Sequence, residues 1–244
     1  MSNLHRLRQF DLIAFDWDGT LYDSTQIIVR CIQAAVTDVG RQTPTHEQAA
    51  YVIGMALMPA LAHAAPDVPK EKYPQLGERY RYHYALHHND LSLFEGVLPL
   101  LEALHERQHL LAVATGKSRK GLDEALHQVA LRGIFDASRT ADETAGKPDP
   151  RMLHELMAEL GVTPERTLMI GDTTHDLQMA NNAGCPSVGE LWRTRQVWLG
   201  GFAPPRGGPQ RGRVARLVAG PCLSTYPCAT ALTCKKAAWR SLSM

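Results

Sequence analysis

The chain has 244 residues, 44% of them hydrophobic, and a formal net charge of +1 at pH 7. This length can bury a sizeable core in one domain with a large insertion or in two small domains. The sequence has no apolar stretch of the roughly 18 residues that a membrane span requires and no signal-peptide pattern at its start, so we expect a cytoplasmic protein. Five cysteines without a Cys-x-x-Cys pair indicate neither a zinc knuckle nor a disulfide framework.

The first predicted element is a buried strand over Leu12–Phe15, and two carboxylates, Asp16 and Asp18, follow it directly. Side chains alternate along an extended chain, so both carboxylates lie on one side, at a strand end of the kind where α/β sheets bind ligands. Two acids this close repel each other unless a cation, a proton or a substrate compensates. The pattern predicts one nucleophile or metal ligand and one proton carrier. The alternative is an ordinary Asp-Gly surface turn.

A long helical region follows, from about residue 24 to residue 93. Its first part has apolar residues every three or four positions up to Gly40, which is the stripe of an amphipathic helix. Further helical stretches are predicted over residues 46–61 and 70–88. We interpret residues 23–93 as an all-helical cap domain.

Strand signals return at residues 110–114, 133–135 and 167–170, with predicted helices over 119–129, 150–160 and 176–183. Strands that alternate with helices favour an α/β fold with a doubly wound, Rossmann-like parallel sheet. The cap is then inserted between the first and second strands. Residues 1–22 and 94–189 are predicted to form the core.

Polar residues follow three of these strands, and strand ends of a parallel sheet meet at one edge. Thr115, with Lys117 or Ser118, follows the second predicted strand, and Asp172 and Asp176 follow the strand at 167–170. Lys147, in a Gly-Lys-Pro loop, reaches the same edge if its loop folds inward. Taken singly, each has a structural explanation. Thr115 can cap the following helix, Lys147 can be a solvated surface lysine, and Asp172 and Asp176 can be acids favoured by a helix dipole. Their occurrence in this order favours a common site.

This combination resembles the haloacid dehalogenase superfamily, and within it the phosphoglycolate phosphatase group with a helical cap. The resemblance covers about residues 11–189. Its motif residues are Asp16, Asp18, Gly19 and Thr20, then Thr115, then Lys147, then Asp172 with Asp176. Asp18 favours phosphate esters, because a halide leaving group needs no acid.

The resemblance implies Mg²⁺-dependent hydrolysis of a small phosphorylated metabolite such as 2-phosphoglycolate, through an aspartyl-phosphate. Asp16 is the implied nucleophile and Asp18 the implied acid and base. The implied metal ligands are the Asp16 carboxylate, the Asp18 backbone carbonyl and Asp172. The implied phosphate-binding residues are Thr115, Gly116 and Lys147, with Asp176 in a supporting position behind them. His175 is expected to face solvent.

Two alternatives stay open at this point. A sugar-phosphate mutase of the same superfamily would return the phosphoryl group to substrate instead of releasing it. A catalytically silent binding protein would use the cap and the tail for its contacts. No membrane partner is expected.

The tail, residues 190–244, does not fit the rest of the chain. It has nine basic residues and one acid, a formal charge of +8, whereas residues 1–189 have 17 basic and 24 acidic residues, a charge of −7. One hypothesis is a native basic appendage that binds nucleic acid or anionic lipid. We favour the other, a shifted reading frame near codon 190 that leaves an atypical or disordered end, so a nucleic-acid partner is not expected.

Overall fold

The structure, a computed structural model, describes residues 10–87, 91–128, 131, 133–191 and 196–200. Their centre is a twisted sheet in the order β3-β2-β1-β4-β5-β6. The strands are β1 Leu12–Phe15, β2 Leu110–Thr115, β3 Ala137–Thr140, β4 Thr167–Gly171, β5 Ser187–Leu191 and β6 Gln196–Gly200. Strands β1 to β5 pair in parallel, and β6 is antiparallel to β5.

Helices cover both faces of this sheet. The helices are α1 Thr25–Asp38, α2 His46–Tyr51, α3 Leu57–Ala64, α4 Tyr73–Leu86, α5 Val97–Glu106, α6 Arg119–Gln128, α7 Arg151–Leu160 and α8 Thr174–Asn182. In β1, Ile13 and Phe15 pack with buried residues of α5 and α6, whereas Leu12 and Ala14 pack with those of α7 and α8. This alternation buries both sides of the strand and confirms the predicted doubly wound α/β sheet.

Helices α1 to α4, which we call the helical cap, share a separate apolar core. The buried stripe of α1 packs with residues of α2, α3 and α4, such as Ala49, Leu61 and Leu76. A layer with its own core is what an inserted domain requires. The exact boundaries of the cap, 23 and 93, stay a prediction.

Three expectations about elements need correction. The predicted helix over 46–61 is two helices, because the chain turns between them at Gly54, whose φ is +90°. The apolar stretch 133–135 is not a strand: Ile134 and Phe135 pack against the core beneath the sheet, and the edge strand β3 has the more polar sequence Ala-Ser-Arg-Thr. β6 lies inside the predicted tail, which otherwise falls largely outside the described residues.

No helix within the described ranges is both long and apolar enough to cross a bilayer.

Candidate active site

The site lies where the three central strands end. Phe15 is in register with Val113 of β2 and with Ile170 of β4, so the residues that follow these strands emerge side by side. The backbone N–H of Asp16 continues this pairing and donates to the carbonyl of Ile170 at 2.8 Å. The parallel sheet therefore brings the Asp16, Thr115 and Asp172 segments to one edge, as the sequence predicted.

Lys147 reaches this edge and is completely enclosed there. Its ammonium Nζ lies 2.5 Å from Oδ1 of Asp16 and 2.7 Å from Oδ1 of Asp176, and its side chain is 0% exposed. An ammonium has three N–H donors, so one remains for a further acceptor. Oδ2 of Asp16 is also buried and has no hydrogen-bond partner. One oxygen of Asp16 is thus fixed by Lys147, and the other is left for a ligand.

Asp172 completes a cluster of three carboxylates. Its Oδ1 accepts a hydrogen bond from the Thr20 hydroxyl at 3.0 Å. Gly19, at φ +86°, lies so close that a Cβ at this position would come 2.3 Å from Oδ2 of Asp172. Both the left-handed backbone and this close approach require a glycine. The turn after β1 therefore fixes the position of Asp172 as well as that of Asp16.

The charges of this cluster do not balance. Asp16, Asp172 and Asp176 surround one ammonium, so the ionised cluster has an excess of two negative charges. Burial, with repulsion from Asp176, raises the pKa of Asp172 to about 7, although the Thr20 hydrogen bond opposes the rise. Burial also raises the pKa of Asp16 well above its ordinary value, against the attraction of Lys147. Burial would lower the pKa of Lys147, but Asp16 and Asp176 raise it above its ordinary value, so the ammonium stays charged.

A divalent cation fits this cluster. One oxygen from each of the three carboxylates lies within 4.8 Å of the others, and the unpartnered Oδ2 of Asp16 is buried. Hard carboxylate oxygens are the ligands that Mg²⁺ prefers, and a 2+ ion would cancel the excess charge. The implied ligands Asp16 and Asp172 are both in this cluster. The third carboxylate is Asp176, whereas the implied role of the Asp18 backbone carbonyl stays a prediction.

Asp18 belongs to a second group of side chains, which we call the Asp18 cluster: Asp18, Ser24, Lys117 and Tyr84. Nζ of Lys117 lies 3.1 Å from both carboxylate oxygens of Asp18, and the Ser24 hydroxyl donates to Oδ1 at 2.7 Å. Lys117 also donates to the hydroxyl of Tyr84 in α4 at 2.8 Å. Asp18 is thus held by Ser24 and by Lys117 of the loop after β2, and Lys117 links it to Tyr84 of the helical cap.

Thr115 and Gly116 lie where the cap and the core meet. Oγ1 of Thr115 is buried at the end of β2 and accepts from the backbone N–H of Lys117 at 3.2 Å, so its own proton can still be donated. A Cβ on Gly116 would come within 2.5 Å of the carbonyl oxygens of Gly54 and Met55 in the turn between α2 and α3. We call residues 52–56 the cap turn. This turn lies directly over the loop that the sequence predicted to bind phosphate.

The structure corrects the prediction made for His175. It was expected to face solvent, but it is 8% exposed, its Nε2 lies 3.1 Å from the carbonyl oxygen of Tyr51, and its ring meets the Tyr51 ring edge-on. The helix α8 begins at the cap interface, so His175 is covered by the cap rather than by water. Asp176 accepts from both the N–H and the hydroxyl of Thr173, which leaves its other oxygen for Lys147.

From the sequence, Lys117 or Ser118 was expected at this edge beside Thr115, but without an assigned role, and Ser24 and Tyr84 were not expected in the site. Lys117 had a usable signal, because it lies two residues after Thr115 in a loop at a strand end. Tyr84 had none: it is 33 residues from Lys117, in a helix whose tyrosines form an ordinary apolar face.

The chain is similar to known proteins in both sequence and fold. The family model described as haloacid dehalogenase-like hydrolase matches residues 13–189. The phosphoglycolate phosphatase of Aliivibrio fischeri is 35% identical over 185 residues, which are 72% of this chain and 82% of that protein. The pyrophosphatase PpaX of Anoxybacillus flavithermus is 29% identical over 182 residues, 74% of this chain and 83% of that protein. The crystal structure of a predicted phosphoglycolate phosphatase from Haemophilus somnus 129pt superimposes with a TM-score of 0.66 at 26% identity, and covers 75% of this chain and 86% of that one.

Proposed function

The chain belongs to the haloacid dehalogenase-like hydrolases and is a phosphatase of that family, and from this premise we propose that it hydrolyses a small phosphorylated metabolite, with 2-phosphoglycolate as the first candidate. One observation carries the proposal: a buried carboxylate, Asp16, has one oxygen on Lys147 and the other unpartnered, beside two further carboxylates. This arrangement suits a nucleophile whose free oxygen attacks phosphorus.

In this proposal Asp16 attacks the phosphoryl group in line, and the bond from phosphorus to the ester oxygen breaks. Asp18 gives a proton to the departing oxygen and then takes one from the water that hydrolyses the aspartyl-phosphate. The third N–H of Lys147 and the hydroxyl of Thr115 donate to the phosphoryl oxygens, with the Gly116 loop beside them. Asp176 acts one step back, because it holds Lys147 in place.

Asp16, the Asp18 backbone carbonyl and Asp172 would hold Mg²⁺, with Asp176 near enough to assist. When bound, the ion would reduce the repulsion between the anionic nucleophile and the anionic phosphate. The cap turn covers the site and keeps bulk water from it.

Phosphate release from 2-phosphoglycolate, measured with Mg²⁺ and with a chelator, tests the proposal. We expect turnover that requires the metal, and a phosphoenzyme that is trapped by acid quenching and cleaved by hydroxylamine. Asp16→Asn is expected to abolish both. Phosphate release without any phosphoenzyme in the wild type would contradict the nucleophile assignment.

Hydrolysis of inorganic pyrophosphate is the second candidate, because similar relatives named pyrophosphatase PpaX match three quarters of the chain. Side-by-side values of kcat/KM for the two compounds decide between them. A sugar-phosphate mutase would instead convert its substrate to an isomer with little phosphate release.

A further inference from the structure

Lys117 is a second, partly buried cation at the site, and none of the catalytic steps proposed above uses it. Its side chain is 11% exposed, and its three donors are directed to the two oxygens of Asp18 and to the hydroxyl of Tyr84. Lys147, the other ammonium at the site, is fully enclosed by Asp16 and Asp176. The two ammonium groups therefore mark two different places around the reacting phosphate.

The position of Lys117 follows from the role of Asp18. If Asp18 delivers a proton to the leaving oxygen, its carboxylate lies next to that oxygen in the substrate complex. Lys117 is 3.1 Å from the same carboxylate, on the side of the cap residue Tyr84. A group one or two bonds beyond the leaving oxygen is within its reach. Lys117 therefore faces the leaving part of the substrate, not the phosphoryl group that is transferred.

The hydrogen bonds of Lys117 must also be rearranged when substrate binds. Once Asp18 turns an oxygen to the leaving group, Lys117 loses an acceptor, and a largely buried ammonium without an anionic acceptor is unfavourable. A carboxylate or phosphate on the substrate would restore the lost contact. The Tyr84 hydroxyl, which stays protonated because burial raises its pKa, could donate to the same anion.

We propose that Lys117 and Tyr84 form a subsite for an anionic group on the leaving side of the substrate. The preferred substrates are then small phosphoryl compounds in which a carboxylate or a second phosphate lies one or two bonds beyond the leaving oxygen. This inference rests on the proposed function. Lys117 comes from the core and Tyr84 from α4 of the cap, so the subsite is complete only when the cap is closed over the core.

The kinetic test compares 2-phosphoglycolate with ethyl phosphate, a matched ester in which a methyl group replaces the carboxylate. The readout is the ratio of their kcat/KM values, because any effect of Lys117 on Asp18 acts on both esters and cancels. We expect the ratio to fall by about 10- to 100-fold in Lys117→Met, since a charge-assisted hydrogen bond is lost. Lys117→Arg should recover part of it. Lys120→Met is the control, because Lys120 lies three residues after Lys117, in α6, and its side chain is 87% exposed.

Tyr84→Phe keeps the ring and removes the hydroxyl, so it tests the subsite even if Lys117→Met fails to fold. We expect a fall of the ratio by roughly 3- to 10-fold in this variant, as for a single neutral hydrogen bond. Pyrophosphate is assayed in parallel. If Lys117→Met impairs the hydrolysis of 2-phosphoglycolate more than that of pyrophosphate, the subsite takes a carboxylate; in the opposite case it takes a phosphate.

Binding without turnover gives an independent readout. The dissociation constants of 3-phosphonopropionate and propylphosphonate differ only through the carboxylate, and Lys117→Met should weaken the first by about 10-fold and leave the second nearly unchanged. Two results would overturn the inference and leave the phosphatase proposal intact. One is an unchanged ratio of kcat/KM values for the two esters in folded Lys117→Met. The other is a wild type whose kcat/KM for ethyl phosphate equals those for 2-phosphoglycolate and pyrophosphate. A wild type that hydrolyses no phosphate compound would instead overturn the proposed function.

Discussion

A methyl group on Gly116 is expected to separate the cap from the core. A Cβ at this position would lie 2.4 Å from the carbonyl oxygen of Met55 and 2.5 Å from that of Gly54, whereas ordinary contact begins near 3.4 Å. Both obstacles are backbone atoms of the cap turn, so they cannot move aside by changing a rotamer. The cap turn would have to retreat by about 1 Å, and a displacement of that size at an active site can reduce turnover by roughly 100-fold.

The assay is steady-state phosphate release from 2-phosphoglycolate by Gly116→Ala, with thermal unfolding measured on the same samples. We expect kcat/KM to fall by about 100-fold, while stability falls by only about 1–3 kcal/mol, as for an overpacked contact. Gly121→Ala is the control. Gly121 lies in α6, and a Cβ there would meet only the hydroxyl of Ser118, at 3.3 Å. This variant should therefore keep its activity and gain up to about 1 kcal/mol in the free energy of unfolding. Wild-type kinetics in folded Gly116→Ala would refute the close approach of cap and core.

Three further predictions concern the charged groups. Asp18→Asn should fold normally and lose about 10²- to 10⁴-fold in kcat, because it cannot transfer a proton; near-normal turnover would rule out its role as acid and base. Lys147→Met leaves the buried carboxylates of Asp16 and Asp176 without their cation. We therefore expect the free energy of unfolding to fall by about 3–5 kcal/mol, measured by denaturant unfolding, and kcat to fall by at least roughly 100-fold, measured by phosphate release. In a chelator, the melting temperature should fall by roughly 3 °C for each unit that the pH rises between pH 5 and 7. The reason is that the pKa of Asp172 is raised to about 7, so over this range the folded state keeps a proton that the unfolded state has released. Mg²⁺ should reverse this loss at pH 7, and Asp172→Asn should flatten the slope; a melting temperature that rises with pH in the chelator would contradict the raised pKa.

Much of the fold could be predicted from local patterns. The strand Leu12–Phe15 has four buried apolar residues in a row and both faces covered, so its apolar run identified it directly. The strand Ala137–Thr140 lies at the sheet edge with two partly exposed residues, and nothing in its composition distinguishes it from a loop. The break between α2 and α3 depends on a glycine inside an otherwise helical pattern. The position of β6 was missed because its surroundings, the basic tail, show no persistent period.

Local order along the chain determined which acids stand at the exits of the strands. A parallel sheet brings those exits to one edge whatever the loops do, and for this reason Asp16 and Asp172 could be placed together in advance. Which cation meets which carboxylate was decided only by the path of the loops. Lys147 is 131 residues from Asp16, and Lys117 is 99 residues from Asp18. A buried charge takes the partner that the folded loops bring within about 3 Å, and no periodicity in the sequence encodes that distance.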